Sequence, residues 1–271
     1  METQEKIKHI VNWLTNYSDK GFVVGVSGGI DSAVTSTLCS LTGRPTIVVF
    51  IPEVLNQKTV TLAEAHMAKL VHEFDNCTSI STELQQLLHN FKLMMSRVDC
   101  DNELALANSK ARFRMLTLYH IAQANGLLVC GTGNKVEDFG VGFYTKYGDG
   151  GVDISPIGDL MKSEVYEIAG ELKINQEIID APPTDGLWAD GRNDEDQLGM
   201  SYAELEWAMN ISEKNLTPSD PMSERTYKRY LELRKANIHK MHPIPVCKFN
   251  DLIDREEESR EYDRQVAIDA D

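Results

Sequence analysis

Apolar positions in the first half of this chain follow two alternating rhythms. Residues 3–19 carry Ile7, Ile10, Val11 and Leu14 at helical spacing, on an otherwise charged segment. Residues 22–26 (FVVGV) form a short unbroken apolar run, the pattern of a strand buried on both faces. A helical pattern resumes near Ile30 or Asp31 and runs to about Leu41, where Gly43 and Pro45 stop it. Residues 46–51 (TIVVFI) read as a second buried strand, ended by Pro52. Residues 58–74 place Ala63, Met67, Leu70, Val71 and Phe74 on one helical face, and 77–80 (CTSI) predict a third strand. Thr82 and Gln85 have capping-box spacing, which predicts a helix opening there. Residues 101–125 predict a long helix with Leu104, Asn108, Ala111, Met115, Leu118 and Ala122 along one stripe, and 127–131 (LLVCG) a fourth buried strand. This alternation predicts an α/β protein with a Rossmann-like, doubly wound parallel sheet and helices on both faces. Ligands bind such sheets at the carboxyl ends of the strands. The Ser27–Ser32 and Gly131–Asn134 loops fall at such ends and are expected to share one crevice.

The rhythm changes after residue 132. Residues 139–159 are rich in glycine and aromatics, too long for a simple connector, and read as a functional loop. Residues 162–173 are helical, and 182–199, rich in Pro, Gly and Asp, predict a mobile lid. Ser201 with Glu204 caps a further helix, and Asp220-Pro221 opens another that runs to about Asn237. The acidic end, 254–271, reads as a short helix or a disordered tail. With no repeat and no linker, residues 1–271 are expected to form a single domain.

Composition narrows the classes. The chain has 271 residues, 42% of them hydrophobic, which suits a globular protein with a sizeable core. No apolar run approaches membrane-spanning length, and the charged start METQEKIKHIVNWL has no secretory core, so a cytoplasmic address and no membrane partner are expected. On that expectation the sequons at Asn76, Asn210 and Asn215 carry no meaning. None of the five cysteines (Cys39, Cys77, Cys100, Cys130 and Cys247) forms a Cys-x-x-Cys pair, and Cys39 and Cys130 fall in apolar runs as core residues. A formal charge of −15 disfavours nucleic acid as a partner and requires any polyanionic substrate to meet a local basic cluster or metal ions.

Chemistry concentrates where the first strand meets the first long helix. In Ser27-Gly-Gly-Ile-Asp-Ser32, glycines permit positive φ and close ligand approach, and the helix N-terminus aims amides and the positive dipole end at the turn. That is an anion cradle, to which Ser27 and Ser32 add hydroxyls, and Asp31 is placed to hold a divalent cation on the bound anion. The Gly-Lys-Ser/Thr ending of the Walker loop is absent. A ligand-free glycine turn is the plain alternative. Elsewhere, Lys110, Arg112 and Arg114 cannot all face one ligand at spacings of two, and Arg112 lies nearest the apolar stripe. Thr132 follows a strand directly, and Glu137 stands where a carboxylate can complete a magnesium site with Asp31. Residues 144–153 set Lys146, Asp149 and Asp153 among tyrosines and glycines, Lys162 opposes a helix dipole, and His239-Lys240 closes a helical segment.

The loop resembles the pyrophosphate loop of adenine-nucleotide enzymes that adenylate a substrate and release pyrophosphate. GVSGGIDS, NSKARFRM (108–115), GTGNKVEDFGVGFYTKYGDGGVDISPIGDLMK (131–162), APPTDGLW (181–188) and IHK (238–240) together resemble, in order, the motifs of the NAD synthetase family. The resemblance spans roughly residues 20–245. It implies that ATP contacts Gly25, Val26, Ser27, Gly28, Gly29, Ile30, Asp31, Ser32, Thr132, Lys162 and Thr184. It implies magnesium on Asp31 and Glu137, and deamido-NAD on Arg112, Lys146, Asp153, His239 and Lys240. Catalytic roles fall to Lys162, facing the leaving pyrophosphate, and to Asp153, orienting or deprotonating ammonium. The implied reaction is ATP-dependent amidation of deamido-NAD to NAD through an acyl-adenylate. The family's site lies partly across a homodimer interface, for which the 101–125 helix is the candidate.

The chain departs from many ammonia-dependent members in reading Gly-Ile-Asp for Gly-Gln-Asp and Gly-Asn-Lys for Asp-His-Ala, with one extra residue between Glu137 and Lys146. The first strand begins at Phe22, so no amidase domain precedes it in this sequence, and ammonia is the expected nitrogen donor unless another chain supplies it. The rivals are another pyrophosphate-loop adenylating amidotransferase or synthetase, such as a tRNA-thiolating or GMP-forming one, and a non-catalytic nucleotide sensor. Net charge argues against tRNA, and the set Asp31, Glu137 and Lys162 argues against the sensor.

Overall fold

A computed structural model describes residues 1–52, 57–183 and 193–247 of the chain. Four parallel strands, β1 (Phe22–Gly25), β2 (Thr46–Phe50), β3 (Cys77–Ser81) and β4 (Leu128–Cys130), lie in the order β3-β2-β1-β4. Ile154 adds a single parallel bridge beside Cys130. The helices are α1 (Thr3–Tyr17), α2 (Ile30–Leu41), α3 (Gln57–Glu73), α4 (Gln85–Ser96), α5 (Glu103–Asn125), α6 (Lys162–Glu171), α7 (Gln176–Ile179), α8 (Asp194–Leu198), α9 (Tyr202–Glu213) and α10 (Pro221–Met241). Residues Lys135–Val141 form a π-helix, the wider turn that often marks functional sites. The chain divides into two units, Met1–Ile238 and His239–Asp271, and the sheet belongs to the first.

Strand alternation explains the layers. Phe22, Val24 and Cys130 pack with Leu14, Val34, Leu38, Val165 and Ile168 of α1, α2 and α6. Val48 and Phe50, in register with that face, pack on Ala63, Met67 and Leu70 of α3. Val23, Val49 and Val129 point the other way, onto Leu118 and Ala122 of α5. Both faces are covered, which is why the strands read as unbroken apolar runs. The expected doubly wound α/β sheet is the architecture found. Cys39 and Cys130 are core residues as expected. A further apolar cluster, with Val136, Val141, Leu205, Met209 and Tyr230 in it, joins the π-helix to α9 and α10.

Chain direction fixes the site. From β1 the chain winds outward to β2 and β3, then crosses back to β4 on the opposite side of β1. The carboxyl ends of β1 and β4 flank this switch point, where a crevice opens in such sheets.

Three local expectations are corrected. No capping box forms between Thr82 and Gln85: the Thr82 N–H still donates to the Phe50 carbonyl (3.1 Å), so sheet pairing continues and α4 starts behind Leu84 without a side-chain cap. Leu104 is exposed, and α5 buries Ala107, Ala111 and Ala122 instead. At about 1.5 Å per residue the 23-residue helix outruns strands of three to five residues, leaving its first turns beyond the sheet. Val71 is exposed too, because α3 turns Leu62, His66 and Leu70 inward. Thr184, half of the expected 182–199 lid and the 254–271 tail lie outside the described residues, whereas Asp194–Leu198 at the end of that segment is helical.

Candidate functional site

β1 hands the chain to the glycine loop. The Val26 N–H still donates to the Val49 carbonyl (2.8 Å), and the turn begins after it. Gly28 has φ +87°, and a Cβ there would lie 2.6 Å from the Thr59 carbonyl oxygen of α3, so a side chain would meet both strain and a wall. The Ser32 hydroxyl accepts from the Ser27 N–H (3.1 Å) and donates to the Gly29 carbonyl (2.9 Å), while the Ser27 hydroxyl accepts from the Gly29 N–H (3.2 Å). The first intrahelical bond of α2 runs from Ala33 to Gly29, so the amides of Ile30, Asp31 and Ser32 precede it. Beneath the loop, the Ser36 hydroxyl donates to the Ser32 carbonyl (2.7 Å) and lies 2.9 Å from Nε2 of buried His66. Burial, with Lys69 nearby, depresses the His66 pKa to about 4, so the ring is neutral at physiological pH.

Asp31 joins this loop to a second, charged construction. Lys162, the first residue of α6 and only 2% exposed, places Nζ 2.6 Å from Asp31 Oδ2 and 3.0 Å from Glu137 Oε1. Asn134 caps the π-helix by accepting from the Glu137 N–H (3.1 Å) and donates from Nδ2 to Asp31 Oδ1 (3.1 Å). The Tyr202 hydroxyl donates to Glu137 Oε1 (2.6 Å), and its ring lies 4.8 Å from Lys162 Nζ.

Burial raises the Asp31 pKa above the carboxylate norm, with Lys162 opposing and Glu137 reinforcing the rise. For Glu137, burial is outweighed by the Lys162 charge and by hydrogen bonds from Tyr202 and Asn134, so its pKa falls. Burial alone would neutralise Lys162, but the two carboxylates hold its pKa well above normal. The cluster is one buried ammonium between two carboxylates, a net charge of −1 when all are ionised.

The remaining residues separate into other places. Thr132 sits half-buried just past β4. Arg112 is exposed on α5 and donates from Nε to the Lys146 carbonyl (3.3 Å), and Lys146 Nζ lies 5.6 Å from the Tyr147 ring centroid. Asp153 accepts from the Val129 N–H (2.8 Å) and from the Tyr119 hydroxyl (3.1 Å), tying the chain after the glycine-rich loop to β4 and α5. His239 and Lys240 are in the last turn of α10, within the second unit. Sequence reasoning missed His66, Asn134 and Tyr202 as parts of the site. Asn134 with Glu137 three residues on has the capping spacing that would have revealed it. Tyr202 carries no such signal. A cleft of about 670 Å³ lined by Lys135, Phe139, Ser155, Tyr230 and Arg234 includes neither the loop nor the carboxylates.

A parallel sheet with a glycine loop at its switch point and a buried lysine held between Asp31 and Glu137 beside it defines an α/β protein of the pyrophosphate-loop class. The family described as NAD synthase matches residues 2–243, and the chain belongs to that family. The NH(3)-dependent NAD(+) synthetase of Malacoplasma penetrans is 34% identical over 252 residues, covering 91% of this chain and 96% of that protein. The enzyme of the same name from Archaeoglobus fulgidus is 35% identical over 235 residues, 86% and 90% of the two chains. Among solved structures, an NMN synthetase from Francisella tularensis superposes with a TM-score of 0.80 at 31% identity, over 92% of this chain and 100% of that one. The NH3-dependent NAD synthetase of Campylobacter jejuni superposes at 0.74 with 26% identity, covering 92% and 100%. The chain is accordingly a ligase that forms a C–N bond, making NAD by amidation with ammonia. No helix among the described residues is long and apolar enough to cross a membrane.

Proposed function

We propose that the chain uses ATP to adenylate the nicotinate carboxylate of deamido-NAD and then passes the acyl group to ammonia. A carboxylate is a poor acyl donor because oxide is a poor leaving group. Attack of its oxygen on the α-phosphorus of ATP forms a C–O–P link and expels pyrophosphate. Ammonia then attacks the acyl carbon, AMP leaves with its oxygen, and the surplus proton passes to a base or water.

The observation that carries this reading is Lys162 held between Asp31 and Glu137 beside the Ser27–Ser32 loop. In it the loop, from Gly25 through Val26 to Ser32, receives the β- and γ-phosphates on its amides and hydroxyls. Lys162 offsets their charge, and Thr132 and Thr184 add contacts to ATP. Asp31 and Glu137 are oxygen donors suited to a hard divalent ion. Among the described residues no group of three or more His, Cys, Asp or Glu surrounds a common point, so an ion there would complete its shell with phosphate oxygens and water, as magnesium does. When bound, the metal supplies charge stabilisation to the departing pyrophosphate. Arg112, Lys146, Asp153, His239 and Lys240 contact deamido-NAD, and Asp153 orients the incoming ammonium with whatever lone pairs its structural bonds leave.

The reading extends to a homodimer that works as one NAD synthetase domain per chain in the cytoplasm. Its support is the apolar surface of α4 and the start of α5. α4 buries no residue in the single chain, and Met94, Val98 and Leu104 are 51%, 59% and 58% exposed.

Purified protein supplied with ATP, magnesium, ammonium and deamido-NAD should yield NAD and AMP in equal amounts. Asp31→Ala should abolish turnover while leaving the circular dichroism spectrum intact. Pyrophosphate release with other carboxylates but not with deamido-NAD would overturn the substrate assignment. A second substrate, favoured by the likeness to the Francisella NMN synthetase, is the nicotinate mononucleotide beside the dinucleotide. The same assay decides between them by the ratio of kcat/KM for dinucleotide and mononucleotide.

A further inference from the structure

Tyr202 touches two of the three charged groups of the site, and nothing above gives it a task. It is the first residue of α9, fixed by the Ser201–Glu204 capping box, and its own N–H donates to Glu195 Oε1 of α8 (2.8 Å). The ring is buried in the cluster of Val136, Val141, Leu205 and Met209, so the hydroxyl has little freedom of position. That hydroxyl lies 2.6 Å from Glu137 Oε1 and 3.3 Å from Asp194 Oδ2. A phenol has one hydrogen to give, and the shorter contact takes it. Glu137 Oε1 then accepts from both Tyr202 and Lys162, which occupies both of its lone pairs. The lone pairs left for a cation belong to Oε2.

We propose that Tyr202 is a positioning residue for the metal site: its hydroxyl locks the Glu137 carboxylate with Oε1 toward Lys162 and Oε2 toward the cation, and its backbone N–H, bonded to Glu195, ties α8 to that orientation. The proposal rests on Glu137 as a metal ligand. The ring face under Lys162 Nζ serves the same end from the other side, since it limits where the ammonium can sit between the two carboxylates. A purely packing role would need only the ring. The positioning role needs the oxygen.

Tyr202→Phe separates the two, because it keeps the ring in its cluster and removes only the hydroxyl. Manganese serves as the spectroscopic probe, titrated by electron paramagnetic resonance into the full-length protein with α,β-methylene-ATP, which cannot be cleaved at the α-phosphorus. Wild type, Tyr202→Phe and Glu137→Gln are compared, with the thermal midpoint of each. Loss of a hydrogen-bond partner behind a metal ligand typically weakens affinity about 10- to 100-fold, and that is the loss expected for Tyr202→Phe, with a midpoint close to wild type. The Mg²⁺ half-saturation of turnover should rise in parallel. Wild-type Mn²⁺ affinity in Tyr202→Phe, together with weakened binding in Glu137→Gln, would overturn the proposal and leave Glu137 as a ligand. Unchanged affinity in both variants would remove Glu137 from the metal site, and Tyr202 with it.

Discussion

The two halves of the site, meeting at Asp31, are built on opposite plans. The Ser27–Ser32 loop is contiguous and, Asp31 apart, neutral, made of amides, hydroxyls and two glycines, and backed by the Ser36–His66 pair. The Asp31–Lys162–Glu137–Tyr202 cluster is assembled from four separate segments and is charged at every member but Tyr202. A neutral loop loses about one hydrogen bond's worth of stability with each part removed, roughly 1 kcal/mol. The ion cluster loses more when Lys162 goes, because the two carboxylates are then left without the cation they share. The contrast teaches that function is separable from stability on the loop side and hardly so at Lys162.

The sharpest attempt to break that contrast is Lys162→Met. It strands two largely buried carboxylates, 19% and 16% exposed, and stability at neutral pH should fall by about 3 kcal/mol, read as a lowered urea midpoint with an unchanged slope. A loss near 1 kcal/mol would mean that the carboxylates do not depend on the ammonium and that the two halves are alike.

The next test lies under the loop. The native pKa of His66 is about 4 against an ordinary value of 6.5, so between those values the unfolded chain binds a proton that the folded chain refuses. Stability from this group is complete above pH 6.5 and is lost as pH falls toward 4, by about 1.4 kcal/mol per pH unit, on the order of 3 kcal/mol in all. His66→Gln should flatten that part of the curve of stability against pH. An unchanged slope would show that the histidine does not titrate as a buried group.

The smallest expected effect is that of Gly28→Ala, where positive φ and the Thr59 carbonyl act together. It should cost about 1–3 kcal/mol and raise the KM for ATP more than it lowers kcat. If Mn²⁺ affinity without nucleotide were equally impaired, the two halves would not be separable.

The same contrast governs what could be read from the chain. The loop was legible because its chemistry is local: glycines, hydroxyls and a helix start occupy neighbouring positions, and the structure keeps them there. The sheet was legible because burial on both faces leaves unbroken apolar runs. Asp31 was legible from the loop, but Lys162 and Glu137 joined it through family resemblance, since a lysine at position 162 and a glutamate at 137 look like surface residues on spacing alone. Tyr202 could not be found, because a tyrosine behind a capping serine looks like any first-turn aromatic until α9 is docked. The false capping box at Thr82 and the exposure of Leu104 have a shared cause. Local pattern does not report how far the sheet extends past a helix end, or how far a helix extends past the sheet.

The sequence separation within the cluster has a consequence for how the enzyme comes into being. Lys162 meets Asp31 across 131 positions, and Tyr202 meets Glu137 across 65. Contacts so distant along the chain close late, because the intervening loop entropy must first be overcome. As the chain emerges from the ribosome, the residues of β1, the glycine loop and α2 are complete within its first 41, and the parts that back the loop, Val49, Thr59 and His66, follow within the next 25. The charged half has none of its order until α6 and α9 have been synthesised and docked. A nascent or truncated chain therefore carries the glycine loop without the charged cluster that faces it.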